Sequence, residues 1–106
     1  MRLLLTGIIG LLLLQSASAQ SFNCRYARTP DEIAICNDSA LAAKDIALTN
    51  LYSRLKAGLS PDGQRQLAAT EALWLKSRAQ CGALAACIGQ AYDQRIRQLQ
   101  DQLAGR

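Results

Sequence analysis

The chain of 106 residues contains no histidine, and this excludes several kinds of active site. Without histidine there can be no Ser-His-Asp or Cys-His nucleophile, no histidine-ligated metal and no haem attachment through C-x-x-C-H. Acidic residues are also few, at eight. A glycosidase needs only two facing carboxylates, but no motif nominates such a pair and a chain this short has little room for a substrate cleft. We therefore expect a protein that is not an enzyme, with no catalytic residue, no cofactor and no metal.

The sequence also lacks a cluster of positively charged residues. The 12 Lys and Arg residues exceed the acidic residues by four, but they are scattered, without a basic run or interleaved aromatic residues. Nucleic-acid-binding proteins concentrate their basic residues on one face or stripe. The composition therefore predicts a solvated surface of mixed charge and no nucleic-acid partner.

The N-terminal segment has the three parts of a secretory signal. Arg2 supplies a positive charge, residues 3–14 are almost wholly apolar, and Ala17-Ser18-Ala19 provides small residues before a polar Gln20. This pattern predicts a signal peptide over residues 1–19, cleaved after Ala19. Loss of Arg2 would lower the formal net charge from +4 by one.

Two alternatives to a cleaved signal are disfavoured. A retained membrane anchor needs about 20 apolar residues, which exceeds the apolar run here. A lipoprotein would carry its cysteine directly after the cleavage site, whereas Cys24 follows Ser21-Phe22-Asn23. We therefore expect residues 20–106 to form one periplasmic or secreted domain, without a membrane segment after cleavage.

Four cysteines lie in the predicted mature domain: Cys24, Cys36, Cys81 and Cys87. An even count in a short exported chain indicates disulfides, whereas a four-thiolate zinc site usually uses close C-x(2–4)-C pairs. Of three possible pairings we favour the two local ones, Cys24–Cys36 and Cys81–Cys87. A continuous helix would place the latter two about 9 Å apart, too far for a disulfide, so we expect a helix break at Gly82.

Helical periodicity and capping signals predict an all-α fold, with one short helix and about three longer ones. Thr29-Pro30-Asp31-Glu32 is typical of a capping box before a short helix. A second helix is expected from about Ser39 to Gly58, a third starting at Ser60-Pro61-Asp62, and a fourth from about Ala83. No stretch alternates as a strand would. The prediction is a small disulfide-stapled helical bundle.

Aromatic and charged residues lie on or beside the predicted apolar faces. Tyr52, Trp74 and Tyr92 fall at helical spacing, which favours core positions over ligand contacts. The same faces carry two arginines, Arg78 and Arg95. Their stems could simply cover apolar surface; alternatively, one of them forms a structural ion pair between helices with Asp45 or Glu71.

Several spacings together carry a family resemblance: Phe22-x-Cys24, Glu32-x-x-Ile35-Cys36, Leu41-x-x-x-Asp45-x-x-Leu48, Trp74-Leu75-x-x-Arg78-x-x-Cys81, and Cys87 followed by Tyr92-x-x-Arg95-x-x-x-Leu99. The chain resembles the LprI-type domain of bacterial envelope proteins, a family named for a lysozyme inhibitor. The resemblance runs from about Phe22 to Leu103. It implies an exported helical domain with two local disulfides, and inhibition of a lysozyme as one activity.

Two functions are compatible with these observations. The first is an exported inhibitor that blocks a lysozyme-type muramidase, using an exposed loop near Arg25–Thr29 or Leu59–Asp62. Its net positive charge would suit an acidic or neutral muramidase better than a basic one. The second is a non-inhibitory envelope module that binds another exported protein or a cell-wall component.

Overall fold

Four α-helices make up most of the computed structural model, which describes residues 20–105. A 3-10 turn, Cys24–Tyr26, precedes them. The helices are α1 Pro30–Cys36, α2 Ser39–Ala57, α3 Pro61–Gln80 and α4 Ala85–Leu103. Residues 20–105 contain no strand, so the prediction of an all-α fold with one short and three longer helices is confirmed. The predicted signal peptide, residues 1–19, lies outside the described residues.

Side-chain caps determine where the first three helices begin. The Thr29 hydroxyl accepts a hydrogen bond from the Glu32 amide, and the Glu32 carboxylate accepts one from the Thr29 amide, completing the capping box. Asp38 caps α2 by accepting from two backbone amides. Ser60 caps α3, with Pro61 as its first residue. Such caps satisfy amide groups that the first helical turn leaves unpaired.

Both predicted local disulfides are present. Cys24 and Cys36 are bonded with their α-carbons 5.8 Å apart, and Cys81 and Cys87 with theirs 5.5 Å apart. The second bond is possible because α3 ends at Gln80 and Gly82 follows with φ at +60°. Glycine adopts this left-handed conformation without the steric cost of a Cβ. The helix break at Gly82 is confirmed.

The apolar core lies mainly between α2 and α4, which make the most extensive contact between elements, and α1 packs against α2. Its buried members come from all four helices and from the residue that ends α3: Ile35, Leu41, Leu48, Leu51, Leu55, Leu67, Cys81, Ile88, Tyr92 and Leu99. Burial of one such aliphatic side chain stabilises the fold by about 1.5–3 kcal/mol. Leu84 and Leu103, at the ends of the α4 apolar stripe, are exposed. None of the described helices is long and apolar enough to span a bilayer.

Candidate functional site

A carboxylate occupies a core position on α2. Asp45 lies in the same stripe as Leu41 and Leu48, and it is 1% exposed. It accepts hydrogen bonds from the Tyr92 hydroxyl at 2.8 Å, from the Ser21 amide at 2.7 Å and from the Ser21 hydroxyl at 2.8 Å. These bonds offset the cost of burying a charged group. They also tie the N-terminal segment to the centre of the bundle.

Arg78 of α3 reaches the same tyrosine from the other side. Its Nε donates to Asp31 Oδ2 at 2.8 Å, and its Nη1 donates to the Tyr92 hydroxyl oxygen at 3.1 Å. Burial raises the pKa of Asp31, but the nearby Thr29 hydroxyl and the hydrogen-bonded Arg78 guanidinium outweigh it and hold that pKa below its ordinary value. Burial raises the pKa of Tyr92, so its hydroxyl stays protonated and donates to Asp45.

Three aromatic rings surround the Arg78 guanidinium. Its central carbon lies 5.6 Å from the Trp74 ring centroid, 5.8 Å from Phe22 and 5.9 Å from Tyr92. Trp74 also contacts Tyr92 edge to face, with ring centroids 5.1 Å apart, and its indole Nε1 donates to the Ala91 carbonyl at 3.0 Å. Cation–π contacts of this kind add to the ion pair where water is excluded.

A second arginine, Arg95 of α4, pairs with α3. Its Nε donates to Glu71 Oε1 at 3.0 Å, and its two terminal nitrogens donate to Gln98 at 3.3 Å and to Thr70 at 3.2 Å. Burial raises the pKa of Glu71, and the neighbouring Arg95 opposes that rise without cancelling it. The Glu71 side chain remains 21% exposed.

The four residues that the sequence nominated for ion pairs therefore divide between two clusters. Arg95 meets Glu71, whereas Arg78 and Asp45 both contact the Tyr92 hydroxyl. The carboxylate partner of Arg78 is Asp31, which sequence reasoning missed. Asp31 stands within the capping signal of α1, which already accounts for an acidic residue there, so nothing in the sequence pointed to a distant arginine.

A pocket of about 340 Å³ opens beside these clusters, between the N-terminal segment, α1, α2 and α3. Its lining is apolar and aromatic with a few charged groups: Ser21, Phe22, Glu32, Asp45, Leu48, Thr49, Tyr52, Glu71, Trp74, Leu75 and Arg78. Tyr52 and Trp74, which we expected in the core, are only partly buried and line this pocket. A concave apolar site with a few placed polar groups is typical of ligand-binding sites.

The loop Arg25–Thr29 lies next to the pocket along the chain and is held in one conformation. The Cys24–Cys36 disulfide ties its start to the end of α1. The Glu32 carboxylate accepts hydrogen bonds from the amides of Arg28, at 2.9 Å, and Thr29, at 3.3 Å. Tyr26 projects from it and is 67% exposed. The loop is thus a rigid, exposed projection.

The other nominated loop, Leu59–Asp62, is placed differently. Leu59 packs against the core, and it lines a separate cavity of about 180 Å³ with Gln66 and Gln102. Among the described residues, no group of histidine, cysteine or carboxylate side chains is arranged to hold a metal ion. The pocket and the loop Arg25–Thr29 are therefore the candidate binding features of the protein.

Comparison with known protein families shows to which family the chain belongs. The family described as lysozyme inhibitor LprI matches residues 23–102. The chain belongs to the LprI family. The match spans both disulfides, Arg78 and nearly all of α4. Comparisons with curated proteins and with solved structures find no match.

Proposed function

We propose that this protein is an exported inhibitor that binds a lysozyme-type muramidase and blocks its catalytic cleft. The observation that supports the proposal is the match to the lysozyme inhibitor LprI family over residues 23–102. Two disulfides and the signal-like segment at residues 1–19 favour a protein that works in the periplasm or outside the cell. Its role is binding and blocking, not catalysis.

The loop Arg25–Thr29 is the part of the protein that we assign to the cleft. A muramidase cleft contains two catalytic carboxylates, and arginine matches a carboxylate with two parallel hydrogen bonds. The loop presents Arg25 and Arg28, both exposed, on either side of the exposed Tyr26. Because the disulfide and the Glu32 carboxylate already fix its backbone, little conformational entropy is lost on binding.

Inhibition of cell-wall lysis by loop variants tests the proposal. The mature wild-type domain should slow lysis by at least one of a panel of basic, neutral and acidic muramidases at near-stoichiometric concentration. The double variant Tyr26→Ala, Arg28→Ala should raise the inhibition constant about 30-fold, the factor expected for an interface hot spot of about 2 kcal/mol.

A matched double variant controls for general surface effects. Leu84 is 68% exposed, close to the 67% of Tyr26, and Arg54 is an exposed arginine on α2. The variant Leu84→Ala, Arg54→Ala should inhibit as the wild type does. No inhibition across the panel would overturn the proposal, and sedimentation with isolated cell walls would then favour a wall-binding module.

A further inference from the structure

We propose that the pocket between α1, α2 and α3 receives one lysine or arginine side chain of the inhibited muramidase. This rests on the proposed function, because the occupant is a side chain of that enzyme. The pocket would act as a second contact beside the loop Arg25–Thr29. Its shape, its charge and its position each support this assignment.

The shape suits a long aliphatic stem. The pocket holds about 340 Å³ and its walls include Phe22, Leu48, Trp74 and Leu75. Lysine and arginine bury their aliphatic stems along apolar surface while the charged head group reaches a polar partner. A purely polar ligand would leave these apolar walls without a matching surface.

The charge suits a cationic head group. The pocket is lined by three carboxylates, on Glu32, Asp45 and Glu71, and by one guanidinium group, on Arg78. The local balance is therefore negative, although the whole chain carries a formal net charge of +4. Arg78 is committed to Asp31, while Arg95 engages only Oε1 of Glu71. Glu71 lines the pocket and its side chain is 21% exposed, so a cation that enters the pocket can reach its carboxylate.

The aromatic walls strengthen the preference for a cation. Phe22 and Trp74 already lie within 6 Å of the Arg78 guanidinium, and Tyr52 lines the pocket with them. The face of an aromatic ring attracts a cation, most strongly where water is excluded. A neutral side chain of the same length would lose this attraction as well as the contact with Glu71.

Position identifies the source of the cation. Phe22 precedes the loop Arg25–Thr29 and Glu32 follows it, and both line the pocket. The Glu32 carboxylate also binds the loop backbone. A muramidase that is held by the loop therefore also faces the pocket. A surface lysine or arginine of the bound enzyme would therefore lie beside the pocket.

Fluorescence of Trp74, the single tryptophan of the chain, reports on the pocket directly. We would titrate the wild-type domain with N-acetyl-lysine amide and, as a matched neutral probe, N-acetyl-norleucine amide. The cationic probe should give a saturable change in emission and bind at least about tenfold more tightly, because a hydrogen bond to a charged partner is lost with the neutral one. Equal responses, or no response to the lysine probe, would overturn the proposal.

The Glu71→Gln variant links the pocket to inhibition. It should raise the inhibition constant for the muramidase about tenfold, whereas Asp93→Asn, in the partly exposed Lys44–Asp93 pair outside the pocket, should leave it unchanged. If the wild type inhibits and Glu71→Gln inhibits equally well, the pocket proposal fails and the proposed function stands. If Glu71→Gln weakens sedimentation with cell walls but leaves inhibition unchanged, the occupant is a wall amine and this proposal is overturned.

Discussion

Two arginines on neighbouring helices form ion pairs with opposite surroundings. Arg78 and Asp31 have side chains 5% and 2% exposed, so although Arg78 lies in the pocket wall their pair is almost closed to solvent, and we call it the sealed pair. Arg95 is equally buried at 6%, but its partner Glu71 is 21% exposed and lines the pocket. Arginine–carboxylate ion pairs thus have two different roles in this protein. The sealed pair holds the fold together, whereas the open pair leaves a carboxylate that a partner can reach.

The two acids also differ in the direction of their pKa shifts. The pKa of Asp31 is lowered because the nearby Thr29 hydroxyl and the Arg78 guanidinium outweigh burial, whereas the pKa of Glu71 is raised because burial outweighs Arg95. Ionised Asp31 therefore stabilises the fold at neutral pH. Ionised Glu71 is held at a cost in free energy, which an additional cation in the pocket would reduce.

Breaking the sealed pair should give the largest loss of stability. Asp31→Ala leaves the Arg78 guanidinium buried without its carboxylate and should lower the free energy of unfolding by about 3–5 kcal/mol. Chemical denaturation at pH 7 measures this. Asp62→Ala, which removes an exposed carboxylate near Arg65, should cost less than about 1 kcal/mol. A loss below about 1 kcal/mol for Asp31→Ala would contradict the structural role of the pair.

The same pair gives a pH dependence whose sign follows from its pKa. Since the folded-state pKa of Asp31 is lowered from 3.8, its stabilisation is fully present above that value and is lost as pH falls through the folded pKa. The stability difference between wild type and Asp31→Asn should therefore be largest at neutral pH and shrink below about pH 4. A difference that grows on acidification would have the wrong sign.

Removing one of the aromatic rings around the Arg78 guanidinium should cause the next largest loss of stability. Trp74→Ala deletes the edge-to-face contact with Tyr92 and the hydrogen bond to Ala91. Trp74 is only partly buried, so we expect a loss of about 3 kcal/mol, at the low end for such truncations. Thermal denaturation would show a midpoint lowered by several degrees. An unchanged midpoint would mean that the contacts of Trp74 beside Arg78 do not stabilise the fold.

Changing the open pair should affect stability little. Glu71→Gln keeps an acceptor for Arg95, so the free energy of unfolding at pH 7 should change by less than about 1 kcal/mol. The pKa of Glu71 is raised from 4.5, so its stabilising contribution is present below that value and is lost as pH rises through the folded pKa. The stability of Glu71→Gln relative to wild type should therefore improve from pH 4 to pH 7, as measured by denaturation at both values.

An exposed pair provides the smallest expected effect. Lys44 Nζ lies 2.6 Å from Asp93 Oδ1, but the two side chains are 36% and 46% exposed. Surface pairs contribute about 0–1 kcal/mol. A double-mutant cycle with Lys44→Ala and Asp93→Ala should therefore give a coupling energy below about 1 kcal/mol. A larger value would mean that this exposed pair stabilises the fold in the way expected of the buried Asp31–Arg78 pair.

Much of the fold could be predicted from sequence because its signals are local. The caps at Thr29 and Ser60, the break at Gly82 and both disulfides each depend on a few neighbouring residues. The Asp31–Arg78 pair joins residues 47 apart, and no local pattern indicates such a pairing. Spacing along a helix shows which residues share an apolar face, but it does not show which distant carboxylate an arginine such as Arg78 will meet.

The pocket could not be predicted for a related reason. Tyr52 and Trp74 lie on apolar faces at helical spacing, which favours the core. Whether such residues are enclosed depends on how closely neighbouring helices approach. Here α2 contacts α4 far more extensively than it contacts α3, so the space between α2 and α3 stays open and the two rings become its walls.

The comparison of Glu71→Gln with Asp31→Asn tests the central claim most directly. Both variants replace a carboxylate with its amide, and both would be assayed for muramidase inhibition at pH 7 at a temperature where circular dichroism shows them folded. Our account predicts that Glu71→Gln raises the inhibition constant about tenfold with little change in thermal midpoint, whereas Asp31→Asn lowers the midpoint and raises the inhibition constant far less. An Asp31→Asn variant that loses inhibition as much as Glu71→Gln would contradict the division into a sealed structural pair and an open binding pair.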